Sequence, residues 1–208
     1  MKLFIVSFIV FLTSSAFAQK DSIQLVREEH FPPKDFTEAL QRSHMTFLPP
    51  KGYTKTKIFP NRQQDYVYAL ISPDKKVEVR YAIMPLDSMI AKYKRPREKD
   101  EIMIDPNNLH ETMFTVITLN TSMGALSGGN PQEPSIFDSA AVMNEFGADW
   151  GATVGIPAGK EFGQDYKYCL IVALHKDDRA DAWLFYLAND NKEIEQHLMD
   201  AFHSIRFN

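Results

Sequence analysis

The sequence predicts an α+β fold in which helices cover both faces of a central antiparallel β-sheet, a three-layer α/β/α sandwich. Residues 65–85, "DYVYALISPDKKVEVRYAIMP", contain two β-rich runs joined by a turn. Residues 166–176 and 181–189 form a second pair of runs, apolar on both faces, and such strands need cover on both sides. Residues 191–205 carry apolar positions at helical spacing, which predicts an amphipathic helix lying on the sheet.

The first pair of runs is predicted to be a β-hairpin, because residues 72–75 place Pro-Asp at the centre of a turn. Alternation along its second strand puts Glu78 and Arg80 on one face, followed by Ala82 and Met84. The opposite face of the same strand carries Val77, Val79, Tyr81 and Ile83.

The second pair of runs divides in the same way. Cys169, Ile171 and Ala173 point to one side of the first run, whereas Tyr168, Leu170, Val172 and Leu174 point to the other. In the partner run, Trp183, Phe185 and Leu187 share a face opposite Leu184, Tyr186 and Ala188. The final helix carries the stripe Ile194, Leu198, Ala201 and Phe202.

Shorter elements fill the rest of the chain. Residues 34–42 and 86–94 are predicted to be short helices, and two short extended pieces are expected around Gly52. A longer helix is predicted to begin near residues 105–107 and to end at the glycines 124, 128 and 129. Its expected stripe is Leu109, Met113, Val116, Leu119 and Met123.

A further helix is predicted in residues 135–147, "SIFDSAAVMNEFG". Ser135 is the expected N-cap, with Asp138 three residues on as its acidic partner. Gly147 is the expected C-terminal glycine, since a helix commonly ends on a residue of left-handed conformation.

The chain begins with the features of an exported protein. Lys2 precedes an apolar run from Leu3 to Leu12, and Ala16-Phe17-Ala18 matches a signal-peptidase site, so residues 1–18 are predicted to be a cleaved signal peptide. The run is about half the roughly 20 residues that a membrane-spanning helix needs. We expect residues 19–208 to form a single domain without a transmembrane segment, periplasmic or secreted, with 19–33 as an extended lead-in.

Composition excludes some classes of function. The formal net charge is −4 and the densest basic run, residues 92–100, is diluted by acidic residues, so no nucleic-acid partner is expected. The lone cysteine, Cys169, allows no internal disulfide and lies in an apolar run, which predicts a buried, inert thiol. The alternative is a nucleophile, which would need exposure and a neighbouring base.

The order of elements resembles one known family. Aromatic strands follow "FLPPKGYT" at 47–54, a helical region comes next, and the chain then reads "YKYCLIVALHK", a turn, "AWLFYLAN" and a last helix ending in "SIRF". Over about residues 45–207 this layout resembles the PsbP-like family of exported α/β/α sandwich proteins. The resemblance implies a small exported accessory module that binds a partner or ligand, and it carries no site residue over to this chain.

Five glycines, at 147, 151, 155, 159 and 163, recur at every fourth position of "GADWGATVGIPAGKEFG". The spacing fits neither a phosphate-binding loop nor a membrane-helix seam. The glycines are therefore interpreted mainly as backbone punctuation, that is, as residues that end a helix or form a turn. A second interpretation is that they let the backbone approach a ligand. In that case Asp149, Trp150, Glu161 and Tyr166 are the candidate ligand-binding residues.

Metal, cofactor and nucleophile motifs are not recognised. His110-Glu111 begins an H-E-x-x-H pattern, but Phe114 stands in place of the second histidine. No G-x-S-x-G elbow is present. We therefore predict no metal and no cofactor.

Two functions remain open. The first is an exported, non-catalytic module that binds a protein, an envelope component or a small ligand, with exposed aromatics near Trp150 and Tyr166. The second is an exported hydrolase-type enzyme whose residues converge only in the fold, with Asp149, Glu161, His110 and His175 as candidates.

Overall fold

Seven strands form one antiparallel sheet in the computed structural model, which describes residues 32–97, 101–122 and 133–208. Its strands are β2 (Thr54–Lys55), β3 (Tyr68–Ile71), β4 (Glu78–Pro85), β5 (Ser135–Ile136), β6 (Trp150–Pro157), β7 (Tyr168–Lys176) and β8 (Ala180–Ala188). The strand order is β2-β3-β4-β8-β7-β6-β5, so the predicted hairpin β3-β4 and the second predicted pair of strands, β7-β8, are confirmed and meet at the β4-β8 pair.

The alternation predicted for the hairpin strands is confirmed, and it gives the sheet two apolar faces. The first face carries Val79, Tyr81, Val172, Leu174, Leu184 and Tyr186. The second face carries Ala82, Ile171, Ala173, Trp183 and Phe185. All nine residues of β8 are buried, which requires cover on both sides of this central strand.

Three helices contribute side chains to the core on the first face. They are α1 (Lys34–Arg42), α4 (Ser139–Phe146) and α6 (Asn191–Ala201). Phe36 of α1 lies 4.8 Å from Tyr68 and 5.7 Å from Tyr81 between ring centroids. Ile194 and Ala201 of α6 are buried, as the predicted stripe requires.

The second face is packed by α3 (His110–Ser122) and by the short helix α5 (Lys160–Gly163). Phe114 and Ile117 of α3 and Phe162 of α5 are the buried contributors. The remaining helix, α2 (Asp87–Lys94), follows β4 directly, and a 3-10 turn at Pro106–Asn108 precedes α3.

A second, two-stranded sheet joins the two ends of the described chain. β1 (Met45–Phe47) pairs antiparallel with β9 (Ile205–Phe207), with Met45 opposite Phe207. β1 is one of the two predicted extended pieces around Gly52, whereas β9 was not predicted from the sequence.

Two predictions about helices were wrong in detail. Ser135 lies in β5, and α4 begins at Ser139 with Asp138 as its N-cap, whose carboxylate accepts a hydrogen bond from the Ala141 N–H at 3.0 Å. In α3 the predicted stripe is displaced, because Val116 and Leu119 are 41% and 50% exposed. The buried positions of that helix are Phe114, Ile117, Thr118, Thr121 and Ser122.

Several predictions fall outside the described residues. They concern the signal peptide at 1–18, most of the lead-in at 19–33, Met123, and the glycines 124, 128 and 129.

Two of the regularly spaced glycines are explained by packing. Gly147 ends α4 at φ +64°, as predicted, and a Cβ there would lie 2.6 Å from the carbonyl oxygen of Phe207. A Cβ at Gly151 would lie 2.8 Å from both Phe137 and Val142. These glycines therefore bring protein segments together, which supports the punctuation interpretation.

Candidate functional site

A cavity of about 600 Å³ opens on the second face of the sheet. Its floor is Ala82, Met84 and Trp183, and Met113 and Ile117 of α3 form one wall. The loop of residues 61–65 forms the opposite rim. Pockets that hold small ligands measure about 300–1,000 Å³ and combine an apolar lining with a few polar groups, and this cavity has both properties.

The rim loop is held in one conformation by its own side chains. The Asn61 carbonyl Oδ1 accepts hydrogen bonds from the backbone N–H groups of Gln63 at 3.0 Å and Gln64 at 2.9 Å. The Asn61 amide donates in turn to the Gln64 carbonyl oxygen at 3.1 Å. A rim organised in this way loses little conformational entropy when a ligand binds.

A buried ion pair lies beside the cavity on the same face. Arg80 is 1% exposed and Glu78 is 4% exposed, and the Arg80 Nε–H donates to the Glu78 carboxylate at 2.6 Å. The guanidinium also donates to the Phe162 carbonyl oxygen and lies 4.7 Å from the centre of the Tyr66 ring. The Tyr166 hydroxyl donates to Glu78 at 3.4 Å. These contacts make the pair part of the packing under α5.

A histidine cluster occupies another part of the second face, where β6, β7 and α3 meet. His175 is buried, with Nδ1 at 2.6 Å from Asp181 Oδ1 and Nε2 at 2.9 Å from Asp177 Oδ1. Burial alone lowers the pKa of His175, but the hydrogen bonds to Asp181 and Asp177 outweigh it and hold the pKa above its ordinary value. The two carboxylates therefore stabilise the charged form of His175.

His110 stacks on this clamped imidazole, with ring centroids 4.2 Å apart and planes inclined by 17°. Trp150, on β6, lies on another side of His110, with 4.9 Å between the two ring centroids. The His110 Nδ1 lies 2.8 Å from the Asn107 carbonyl oxygen, which places the proton on Nδ1 because a carbonyl can only accept.

The predicted site residues are distributed over three places. Asp149 and Trp150 lie at the histidine cluster, where the Asp149 carboxylate accepts the Asp177 N–H at 2.9 Å. Tyr166 belongs to the buried ion pair, and burial chiefly raises its pKa to about 12. Glu161 lies in α5, where it is exposed. The structure thus brings Asp149 and Trp150 together with His110 and His175, but not with Glu161 or Tyr166.

The thiol of Cys169 is buried, as predicted. Burial raises the pKa of this thiol to about 12, which leaves it protonated and unreactive at neutral pH. Within the described ranges, no group of three or more His, Cys, Asp or Glu side chains is arranged to hold a metal ion. In the same ranges no helix has the length and apolar character needed to cross a membrane.

The cavity was not predicted as a site. Trp183, Met84 and Met113 were assigned to strand and helix faces, and nothing in their local sequence distinguishes a cavity floor from a filled core. The one local signal for the cavity is the polar run "NRQQD" at 61–65, which lies between two β-rich segments. Such a run predicts a surface loop, and binding residues are often found on surface loops.

Comparison with known proteins adds no family assignment. No protein-family model matches the chain, and no curated protein matches it.

Proposed function

We propose that this protein is an exported, non-catalytic binding module whose ligand occupies the cavity between β4, β8, α3 and the 61–65 loop. The observation that carries the proposal is the cavity itself, with a volume of about 600 Å³, an apolar floor and an organised polar rim. The cavity is partly open to solvent, and its apolar floor with a polar rim is the combination that small-molecule sites show.

The arrangement of the described helices supports a layered architecture. α1, α4 and α6 contribute to the core on the first face, and α3 and α5 to the core on the second face. On this basis we propose the three-layer sandwich, with a layout similar to the PsbP-like family. Export is proposed from the signal-like residues 1–18, and a mature mass beginning at Gln19 is the measurement that tests it.

A hydrolase is the second candidate, favoured by the convergence of His110, His175 and Asp149. Both ring nitrogens of His175 already lie within 2.9 Å of carboxylate oxygens, so neither is available to accept a substrate proton. His110 is the one ring of the stack with an unengaged Nε2 among the described residues. Ester hydrolysis that disappears in His110→Ala would favour the enzyme over the binding module.

The binding module is tested with a small probe and two matched tryptophan variants. We expect 4-fluorobenzyl alcohol to bind the wild-type protein, observed as broadening of its ¹⁹F NMR line. Met113→Trp fills the cavity and is expected to abolish the broadening. Val116→Trp places the same side chain on the exposed surface of the same helix and should leave it unchanged. Equal broadening in all three proteins, or none in the wild type, would reject cavity binding.

A further inference from the structure

Within the described part of the chain, one edge of β4 has no strand partner where it passes the cavity. β3 begins at Tyr68, which pairs with Tyr81, whereas β4 continues to Pro85. On the other side, the whole of β4 pairs with β8 as far as Pro85 opposite Ala180. Among the residues that the structure describes, Ile83 to Pro85 therefore have a strand neighbour on one side only.

The direction of the Ile83 backbone follows from its neighbours. The Tyr81 carbonyl accepts a hydrogen bond from the Val67 N–H at 3.0 Å, so it faces the β3 side. The Leu86 N–H donates to the Arg179 carbonyl at 2.9 Å, so it faces the β8 side. Because successive residues of a strand alternate in this respect, the N–H and C=O of Ile83 face the β3 side, beyond the end of β3.

This open edge faces the cavity. Ile83 and Pro85 line the cavity together with the apolar floor. Across residues 32–97, 101–122 and 133–208, no hydrogen bond occupies the Ile83 N–H or C=O on that side. Pro85 has no N–H to offer, so the edge presents one donor at Ile83 before it ends.

We infer that the ligand of the cavity is an extended peptide segment that continues the sheet in line with β3 and pairs with Ile83. An exposed strand edge binds extended peptides through main-chain hydrogen bonds, and adjacent pockets select alternate side chains. This inference rests on the proposed function, because it assigns a chemical class to the occupant of the same cavity.

The register of such a segment follows from strand geometry. The peptide residue that exchanges hydrogen bonds with Ile83 places its own side chain on the first face, as Ile83 does. The residues before and after it place theirs on the second face, beside Ala82 and Met84, and so towards Trp183. Two apolar side chains spaced two residues apart are therefore the expected recognition element.

The test uses acetyl-Leu-Ala-Leu-amide and the same peptide with N-methylalanine at its centre. The methyl group removes the N–H that would donate to the Ile83 carbonyl and changes neither leucine. We expect the first peptide to displace 4-fluorobenzyl alcohol and to shift the Ile83 amide signal in ¹⁵N-resolved NMR spectra. The N-methyl peptide should bind about tenfold more weakly, equivalent to about 1.4 kcal/mol, because the Ile83 carbonyl then lacks its donor.

The failures of the two proposals are distinguishable. If the fluorinated probe binds but neither peptide displaces it, or both peptides displace it equally, the peptide assignment is overturned and the cavity remains a small-ligand site. If the probe itself does not bind, the proposed function fails. In Met113→Trp both probe and peptide should be lost, and in Val116→Trp both should bind as in the wild type.

Discussion

Replacing Arg80 with methionine is expected to be severely destabilising, because it leaves the Glu78 carboxylate buried without its partner. Glu78 is 4% exposed and its carboxylate accepts a hydrogen bond from Arg80 at 2.6 Å. Removing one member of a buried ion pair costs about 3–5 kcal/mol of unfolding free energy. The substitution also removes the guanidinium from the ring faces of Tyr66 and Phe162, at 4.7 and 5.0 Å.

Thermal and urea unfolding measure this effect. For a domain of about 150–250 residues each kcal/mol shifts the melting temperature by roughly 2–4 °C, so Arg80→Met should lower it by roughly 6–20 °C. The matched control is the double variant Glu78→Leu/Arg80→Met, which removes both charges. Apolar replacement of a whole buried pair is often neutral, so the double variant should recover most of the lost stability. A single variant costing under about 1 kcal/mol, or a double variant less stable than the single, would refute the reasoning.

Three further outcomes follow from local geometry. Gly147→Ala should cost more than about 1 kcal/mol, because the position has φ +64° and the new Cβ would lie 2.6 Å from a β9 carbonyl oxygen; an unchanged urea midpoint would contradict this. Asp138→Ala should lower stability by about 0.5–2 kcal/mol as a lost N-cap, whereas Ser135→Ala should change it by less than about 0.5 kcal/mol; the reverse order would restore Ser135 as the cap. His175 and His197 both have pKa values above their ordinary range, so the stability they contribute is complete below about pH 6.5 and is lost as pH rises through their folded-state values. Urea midpoints measured from pH 6 to pH 9 should therefore fall, and a midpoint that rises over this interval would contradict the assignment.

The pKa of His197 is raised in the same manner as that of His175. Burial alone lowers it, but His197 lies 3.0 Å from Asp200 and 3.1 Å from Asp74, and these contacts outweigh burial. The two histidines thus secure the turns of both hairpins, since Asp74 lies in the β3-β4 turn and Asp177 in the β7-β8 turn.

The faces of the strands could be predicted because side chains alternate between the two sides of a sheet, so only two assignments are possible. In a strand that is apolar on both sides, such as β8, the side chains are buried under either assignment. The buried face of α3 could not be predicted. Phe114, Val116, Ile117 and Leu119 surround much of that helix, so several stripes fit the sequence equally well. The sheet resolves the ambiguity by selecting Phe114 and Ile117.

The N-cap of α4 shows a second limit. Ser135 and Asp138 are both good capping residues, and sequence spacing alone favoured the first. Pairing of Ser135 with Thr153 in the β5-β6 ladder decides the matter, and that pairing is a long-range contact. The cavity was missed for the same reason, because its floor, wall and rim come from segments that meet only in the folded chain.

The pairing of β1 with β9 has a consequence for the order in which the chain can fold. The Thr46 hydroxyl donates to the Arg206 carbonyl across 160 positions of sequence, so the pairing of β1 with β9 has to wait until residues 205–207 have been synthesised. Contacts of such long range slow folding, because loop-closure entropy is spent before they form. The seven-stranded sheet contains neither β1 nor β9, so this pairing can be made after that sheet has formed. A chain that stops short of β9 should therefore be cut by proteases around β1, whose strand partner is then missing.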